Sequence, residues 1–526
     1  MRDFHSPGRS PVFSANGMCA TSHPLAAKTA VSLLEQGGNA VDAAIGAAIL
    51  LGIAEPQMTG IGGDCFALIK PARSEDVITL NGSGRAPSAL AAADLLAQGH
   101  ETMPAHSAAS VTLPGAVDAF CRLSERMGAL DLEQTLAPAI RYAEEGIPVA
   151  PRVAFDWARD AEHLQGDARA HYLISGAPPS AGQMFSAPGQ AAVLRRIAAQ
   201  GRAAFYEGEI AAEMVSTLRA AGGVHTEDDF AQVEATWGDP VSGMYKGTEL
   251  VEHPPNGQGL AAILQANILS HFDLPGLDPF GAERAHIEAE AAKLAYDARN
   301  RFIADPEFMA RADHLLAPET AAQLADLIDP KRAMANPFIV SENVHKETIY
   351  ITVVDRDRMA VSLIYSIFHG FGSGIATPTH GILLHNRGAG FTLTEGHPNE
   401  ALGGKRPMHT IIPAMLRQNG RVTMPFGVMG GAYQANGHAR FLTNIVDYGL
   451  SPQSAIDAPR SFWDSGVLKV ERGYSDQVRA RLADMGHVIQ VPDTPIGGAQ
   501  AILINPETGV LEGGSDPRKD GCALGY

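Results

Sequence analysis

Thr348-Ile349-Tyr350-Ile351-Thr352-Val353-Val354 is followed by the charged turn Asp355-Arg356-Asp357-Arg358 and a second apolar run, Ala360 to Ile367. Two β-branched runs around such a turn predict a β-hairpin whose first residue carries a hydroxyl. Upstream, the interval from Ala310 to Lys346 has the least regular pattern in the chain, and its end, Ser341-Glu342-Asn343-Val344-His345-Lys346-Glu347, is polar. Exposed, cuttable chain is expected there. A break between Glu347 and Thr348 would give Thr348 a free α-amino group, which titrates near ~7.7–8.0 and can act as general base for the hydroxyl of its own residue.

The rest of the chain bounds what such a unit could serve. At 526 residues and 45% hydrophobic content it can bury a large core. A net charge of −18, spread rather than gathered in a tail, with no basic stripe, argues against nucleic-acid binding. Cys19, Cys65, Cys121 and Cys522 are scattered without paired spacing, which fits reduced thiols and a cytoplasmic location. The N-terminus lacks the apolar core of a secretory signal. The greasiest stretch, Ala40 to Ala54, is too short to span a bilayer and contains Asp42, so no membrane association is expected. The 19 histidines include no His-x-x-x-His or His-Glu-x-x-His pair, and no metal or organic cofactor is expected.

In chain order, Pro24 starts a helix that Gly37-Gly38 stops, and a second helix runs from Asn39 or Ala40 to Ala54. Gly60-Ile61-Gly62-Gly63-Asp64 reads either as a loop pressed against a ligand or as a tight turn into the strand Cys65 to Ile69. Val77 to Leu80 is a strand that delivers Arg85 among small residues, which reads either as a carboxylate-binding candidate or as a surface arginine in a loop. Ala89 to Ala221 is mostly alanine-rich helix, Glu249 to Glu252 a strand, and His286 to Phe302 a helix whose Glu288, Glu290 and Lys293 read as a solvated or salt-bridged face. Further strands are expected at Gly381 to Leu384 and Thr423 to Gly427, with the apolar run Ile411 to Leu416 between them. Gly430-Gly431, at a strand-to-helix junction, can aim successive N–H groups at one point, as an oxyanion hole requires, or can simply turn the chain.

In this order the motifs resemble the γ-glutamyltransferase family of N-terminal nucleophile hydrolases, over nearly the whole length. The likeness rests on Gly37-Gly38-Asn39-Ala40-Val41-Asp42-Ala43, Gly60-Ile61-Gly62-Gly63, Pro114-Gly115, His253-Pro254-Pro255, Thr348 with Thr352-Val353-Val354-Asp355, Phe371-Gly372-Ser373-Gly374, Lys405-Arg406-Pro407, Gly430-Gly431 and Ser515-Asp516-Pro517-Arg518. The resemblance implies an α+β fold, a four-layer αββα sandwich, and a precursor that cuts itself between Glu347 and Thr348. The products would be an α chain, 1–347, and a β chain, 348–526, which stay entwined, with a heterotetramer as a further assembly the sequence permits. It implies Thr348 as nucleophile, Gly430 and Gly431 as oxyanion donors, and Ser366 as a hydroxyl near the nucleophile's amine.

Where family members grip a glutamyl group, this chain departs. Gly390 stands where an aspartate should hold an α-ammonium, Phe368 replaces an asparagine, and His409-Thr410 replace paired serines. The carboxylate-binding arginine falls at Ser83 in strict register, with Arg85 two residues on. Such a pocket suits a small acid amide without an α-amino group, gripped by Arg85 or Arg387, hydrogen-bonded by His409 and Thr410, and walled by Phe368. The patterns around Asn81 to Arg85 and Glu347 to Tyr350 are similar to the oxamate-hydrolysing branch, which serves purine and ureide nitrogen salvage; its reaction gives oxalate and ammonia. The competing readings are a γ-glutamyltransferase or glutathione hydrolase, a glutaryl-type acylase, and a non-catalytic binding relative.

Overall fold

The computed structural model describes residues 8–309, 311–334 and 348–526. Two seven-stranded sheets form its centre. In the first, the strands lie in the order Cys522–Gly525, Met18–Thr21, Ile349–Val354, Ala360–Ser366, Asp64–Lys70, Ile78–Gly82 and Thr236–Gly238. In the second, the order is Val12–Ser14, Leu511–Ser515, Gly498–Ile504, Arg421–Met429, Ala414–Gln418, Thr248–Glu252 and Val241–Tyr245. All neighbours in both sheets are antiparallel, and each sheet draws strands from both sides of Thr348.

The inner faces of the sheets meet through Met18, Leu68, Val251, Met415, Ile502 and Leu511. At the end where Thr348 lies, Phe66, Tyr350, Ile364, Ile411 and Met429 continue this seam. Fully burying a side chain of this size is worth roughly 1.5–3 kcal/mol, so the seam holds one sheet on the other. The outer face of the first sheet is covered by helices that include Ala40–Ala54, every residue of which is buried. Apolar on all sides, that helix belongs inside the helical layer rather than on its surface. Gly259–Leu269, Ala282–Phe302 and Tyr433–Val446 cover the second sheet. The result is the four-layer αββα sandwich.

The hairpin expected from Thr348 onward forms, with Ile349 opposite Tyr365 and Val354 opposite Ala360. Its turn is tied down by Asp355, whose Oδ1 accepts the N–H groups of Asp357 and Met359 at 2.9 and 3.0 Å, while Oδ2 accepts that of Ala40 at 3.0 Å. One carboxylate thus closes the hairpin and fixes it to the start of a core helix.

Two expectations need correction. Gly381 to Leu384 forms isolated bridges, Gly62 to Leu384 and Ala376 to Leu383, instead of a strand, because its backbone runs between two loops rather than along a sheet. Within 310–346, residues 311–334 contain the helices Ala312–Leu316 and Pro318–Ala325, and the remainder, with Glu347, lies outside the described residues. Of the two alternatives for Glu288, Glu290 and Lys293 the salt-bridged one holds, in a buried setting: Glu288 pairs with Arg284 at 2.8 Å and with Arg440, and Lys293 with Glu290 at 2.7 Å. No helix among the described residues is long and apolar enough to cross a membrane. The four cysteines carry free thiols, three buried and Cys522 half-buried.

Candidate active site

Thr348 directly precedes the strand Ile349–Val354 and is 2% exposed. The hairpin register sets it beside Ser366, and the two hydroxyl oxygens are 3.3 Å apart. Ser366 Oγ also accepts the Phe368 N–H at 2.9 Å and Arg387 Nη2 at 3.2 Å. Arg387 Nη1 donates to Thr410 Oγ1 at 3.4 Å, and its guanidinium carbon lies 4.0 Å from the centre of the Phe368 ring. A fully buried guanidinium therefore stands two hydrogen bonds from the Thr348 hydroxyl. Phe368 reaches this place with φ +80°, a left-handed backbone that costs a non-glycine residue about 1–3 kcal/mol. The strain is spent on stacking its ring between Arg387 and His369.

From Thr410 the network continues to the glycine pair. Gln258 Nε2 donates to the Thr410 carbonyl at 2.6 Å and to the Gly431 carbonyl at 3.0 Å, and Arg299 Nη1 holds Gln258 Oε1 at 2.9 Å. Gly430 and Gly431 follow the strand Arg421–Met429 and precede the helix Tyr433–Val446, with φ of +118° and +57°. A side chain is strained in that backbone, which is why glycine fills both places. Among the described residues, no backbone carbonyl accepts either N–H.

Beneath Arg387 lies Asp64, which composition and spacing did not single out. Its Oδ2 is 3.2 Å from His409 Nε2, 3.4 Å from His385 Nδ1 and 3.8 Å from Arg387 Nε. Its Oδ1 accepts the N–H groups of Gly84 at 3.0 Å and Gly115 at 3.3 Å. Burial works to raise this carboxyl, but the His385 and His409 imidazoles outweigh it and hold the group well below the usual carboxylate range. Burial and the Arg387 guanidinium push His409 down to about 3, so at neutral pH its ring is uncharged.

The structure brings together Thr348, Ser366, Phe368, Arg387, His409 and Thr410, and corrects the parts assigned to some of them. His409 has no nitrogen to offer a substrate: Nε2 faces Asp64, and Nδ1 accepts the Ile411 N–H at 3.3 Å. Arg85 is turned away from the group, its guanidinium held by Asp305 at 3.4 Å, Glu307 at 3.3 Å and the Gly404 carbonyl at 2.9 Å. Ser83, the strict register match, accepts from Asn256 Nδ2 at 3.1 Å, and its carbonyl takes Arg406 Nε at 2.8 Å. At Gly390 a β-carbon would stand 2.7 Å from the Met408 carbonyl, so this backbone has no room for a carboxylate side chain. Asp64 was legible only as a charge ahead of the apolar run Cys65 to Ile69; His385 and Gln258 left no signal in the spacing.

Away from this group, His286, Glu290 and His487 bring three metal-type ligand atoms within 4.8 Å of one another. There Lys293 already supplies the positive charge at Glu290, and His286 Nδ1 lies 2.8 Å from His487 Nε2.

This architecture, two packed antiparallel sheets between helical layers with a threonine heading an internal hairpin strand, is that of an N-terminal nucleophile hydrolase. The chain belongs to the gamma-glutamyltranspeptidase family, whose model matches residues 26–526. It is 35% identical to the glutathione hydrolase-like YwrD proenzyme of Bacillus subtilis and 34% identical to the oxamate amidohydrolase proenzyme of Klebsiella pneumoniae; each match covers 98% of this chain and 99% of the relative. Among solved structures it resembles a cephalosporin acylase from Bacillus halodurans, with TM-score 0.92 and 37% identity over 100% of this chain and 99% of the other.

Proposed function

We propose that this protein is a self-processing threonine amidohydrolase of small anionic amides, with oxamate as its substrate. In maturation, Thr348 Oγ1 attacks the Glu347 carbonyl, the acyl group shifts from nitrogen to oxygen, and water cleaves the ester. The pieces 1–347 and 348–526 result, and the second begins with a free amine. In turnover that amine takes the hydroxyl proton as Oγ1 adds to the amide carbon. The Gly430 and Gly431 N–H groups stabilise the oxyanion, and ammonia leaves with the proton the amine returns. Water, activated by the same amine, then hydrolyses the oxalyl ester and frees oxalate. No part of this cycle calls on a cofactor, and the free cysteines fit a cytoplasmic setting.

The observation that carries the substrate class is Arg387, buried beside Thr348 and flanked by the hydroxyls of Ser366 and Thr410. Its Nη2 and Nη1 lie 3.2 and 3.4 Å from them, and a guanidinium fork of this kind pairs most strongly with a carboxylate, at ~2.7–2.9 Å. Asp64, the carboxylate nearest this arginine among the described residues, already has both oxygens engaged and is a poor anchor for an α-ammonium. The likeness to the Klebsiella oxamate enzyme supports the same choice.

The likeness to a cephalosporin acylase favours a second reading, in which a larger acyl group is removed from a bulky amine. A panel of oxamate, glutathione, γ-glutamyl-p-nitroanilide and glutaryl-7-aminocephalosporanic acid, assayed for ammonia and for amine release on the matured protein, decides between them. Ammonia from oxamate alone is the expected result, and preference for any other member replaces the proposal.

A further inference from the structure

Asp64 is a fully buried carboxylate that the chemistry above leaves without a part. Heading the strand Asp64–Lys70, it stands opposite Ser366 in the ladder, so strand register delivers it to the floor of the site. Two backbone N–H groups hold Oδ1, and the Nε2–H of His409 donates to Oδ2; that tautomer is fixed because His409 Nδ1 is the acceptor of the Ile411 N–H. Four nitrogen-bearing partners thus spread the negative charge, and the fifth, Arg387, meets it through Nε at 3.8 Å. Phe368 covers one face of that guanidinium, which leaves Nη1 and Nη2 directed at Thr410 and Ser366.

We propose that Asp64 is the positioning residue that makes this pocket select anionic amides: it compensates Arg387 from behind and fixes the fork, so that only the Nη edge can meet a substrate carboxylate. The inference rests on the functional reading above and extends it to the residue behind the contact. A guanidinium buried without a counter-charge has a strong penalty to escape, and would swing or draw in water instead of waiting in place. Pre-arranged by Asp64, it binds a carboxylate without first losing freedom. Because Asp64 is surrounded by donors, it does this without presenting a bare anion to the incoming one.

The test compares oxamate with oxamide, its neutral diamide, on matured wild type and Asp64→Asn. The variant is expected to lose roughly 10- to 100-fold in kcat/KM for oxamate, mainly through KM, and little for oxamide. Equal losses on both substrates would reduce Asp64 to a structural residue and overturn the proposal. Thermal unfolding of Asp64→Asn, Arg387→Met and the double variant supplies a readout independent of substrate. Coupling predicts that the double variant is no less stable than the weaker single one, since removing both partners leaves no lone buried charge. Additive losses would overturn the pairing. If wild type turns over neither amide while the cycle is non-additive, the functional reading fails and the pairing stands.

Discussion

Ser366 stands opposite Asp64 in one ladder and puts its hydroxyl 3.3 Å from that of Thr348 on the other side. A single strand end therefore links the proposed nucleophile to the buried Asp64, and its neighbours can be probed one at a time.

Thr348→Ala is expected to stay as one full-length band on a denaturing gel and to lose at least about 10³-fold in amide turnover, the scale seen when a covalent nucleophile is removed. In active wild type, mass spectrometry should find a fragment starting at Thr348. An intact Glu347–Thr348 bond in fully active protein would move the nucleophile elsewhere.

Gly430→Ala tests the oxyanion turn. Its φ is +118°, and a β-carbon there would lie 3.0 Å from the Gly497 α-carbon, so the turn must shift and its N–H with it. Losing one oxyanion donor costs ~10²–10³ in kcat, and KM should stay nearly unchanged. A pure KM effect would argue that the turn only shapes the pocket.

Arg387→Met should raise KM for oxamate by about 10²-fold or more, because a buried charge contact is lost, while Arg85→Met should leave it within a factor of about two. Steady-state kinetics on both variants separates them. The reverse pattern would return the carboxylate grip to Arg85 despite its pairing with Asp305 and Glu307.

Acid should weaken the fold through its buried histidines before the lowered carboxylates of Asp64 and Asp516 are reached; Glu55, raised by burial to about 7, works in the opposite direction and is outnumbered. Burial pushes His23, His225 and His253 down to about 4, and His409 and His487 down to about 3. Unfolded, each titrates near ~6.5. Between these values the unfolded chain binds protons that the native one refuses, so stability falls as pH drops from about 6.5 toward 4. Asp64 and Asp516, both held below their ordinary range, act in the other window: their contribution is present above ~3.9 and is lost only as pH falls below it. Urea midpoints measured at pH 7, 5.5 and 4.5 should decline steadily; a flat series would mean that these rings protonate without opening the structure.

Periodicity made much of the scaffold legible. The helices Pro24–Glu35 and Ala40–Ala54 and the hairpin around Asp355 follow from local pattern, because capping, β-branching and turn chemistry all act within a few residues. Gly381 to Leu384 misled because an apolar run says nothing about whether a partner strand is present. In the site, Thr348 could be proposed from residue type and position, and Ser366 and Arg387 through the family resemblance, but Asp64 could not be joined to His385 and His409, more than 300 residues away, without the register of the sheet. His409 was misjudged for the same reason: a sequence shows that a ring has two nitrogens, not that both are already engaged.

The strand Met18–Thr21 is flanked on one side by Cys522–Gly525 and on the other by Ile349–Val354. Without residues 348–526 the strand Met18–Thr21 would lose both of its neighbours, so the two stretches share one sheet. The cut proposed ahead of Thr348 therefore belongs after folding, and the order of events is written into the weave.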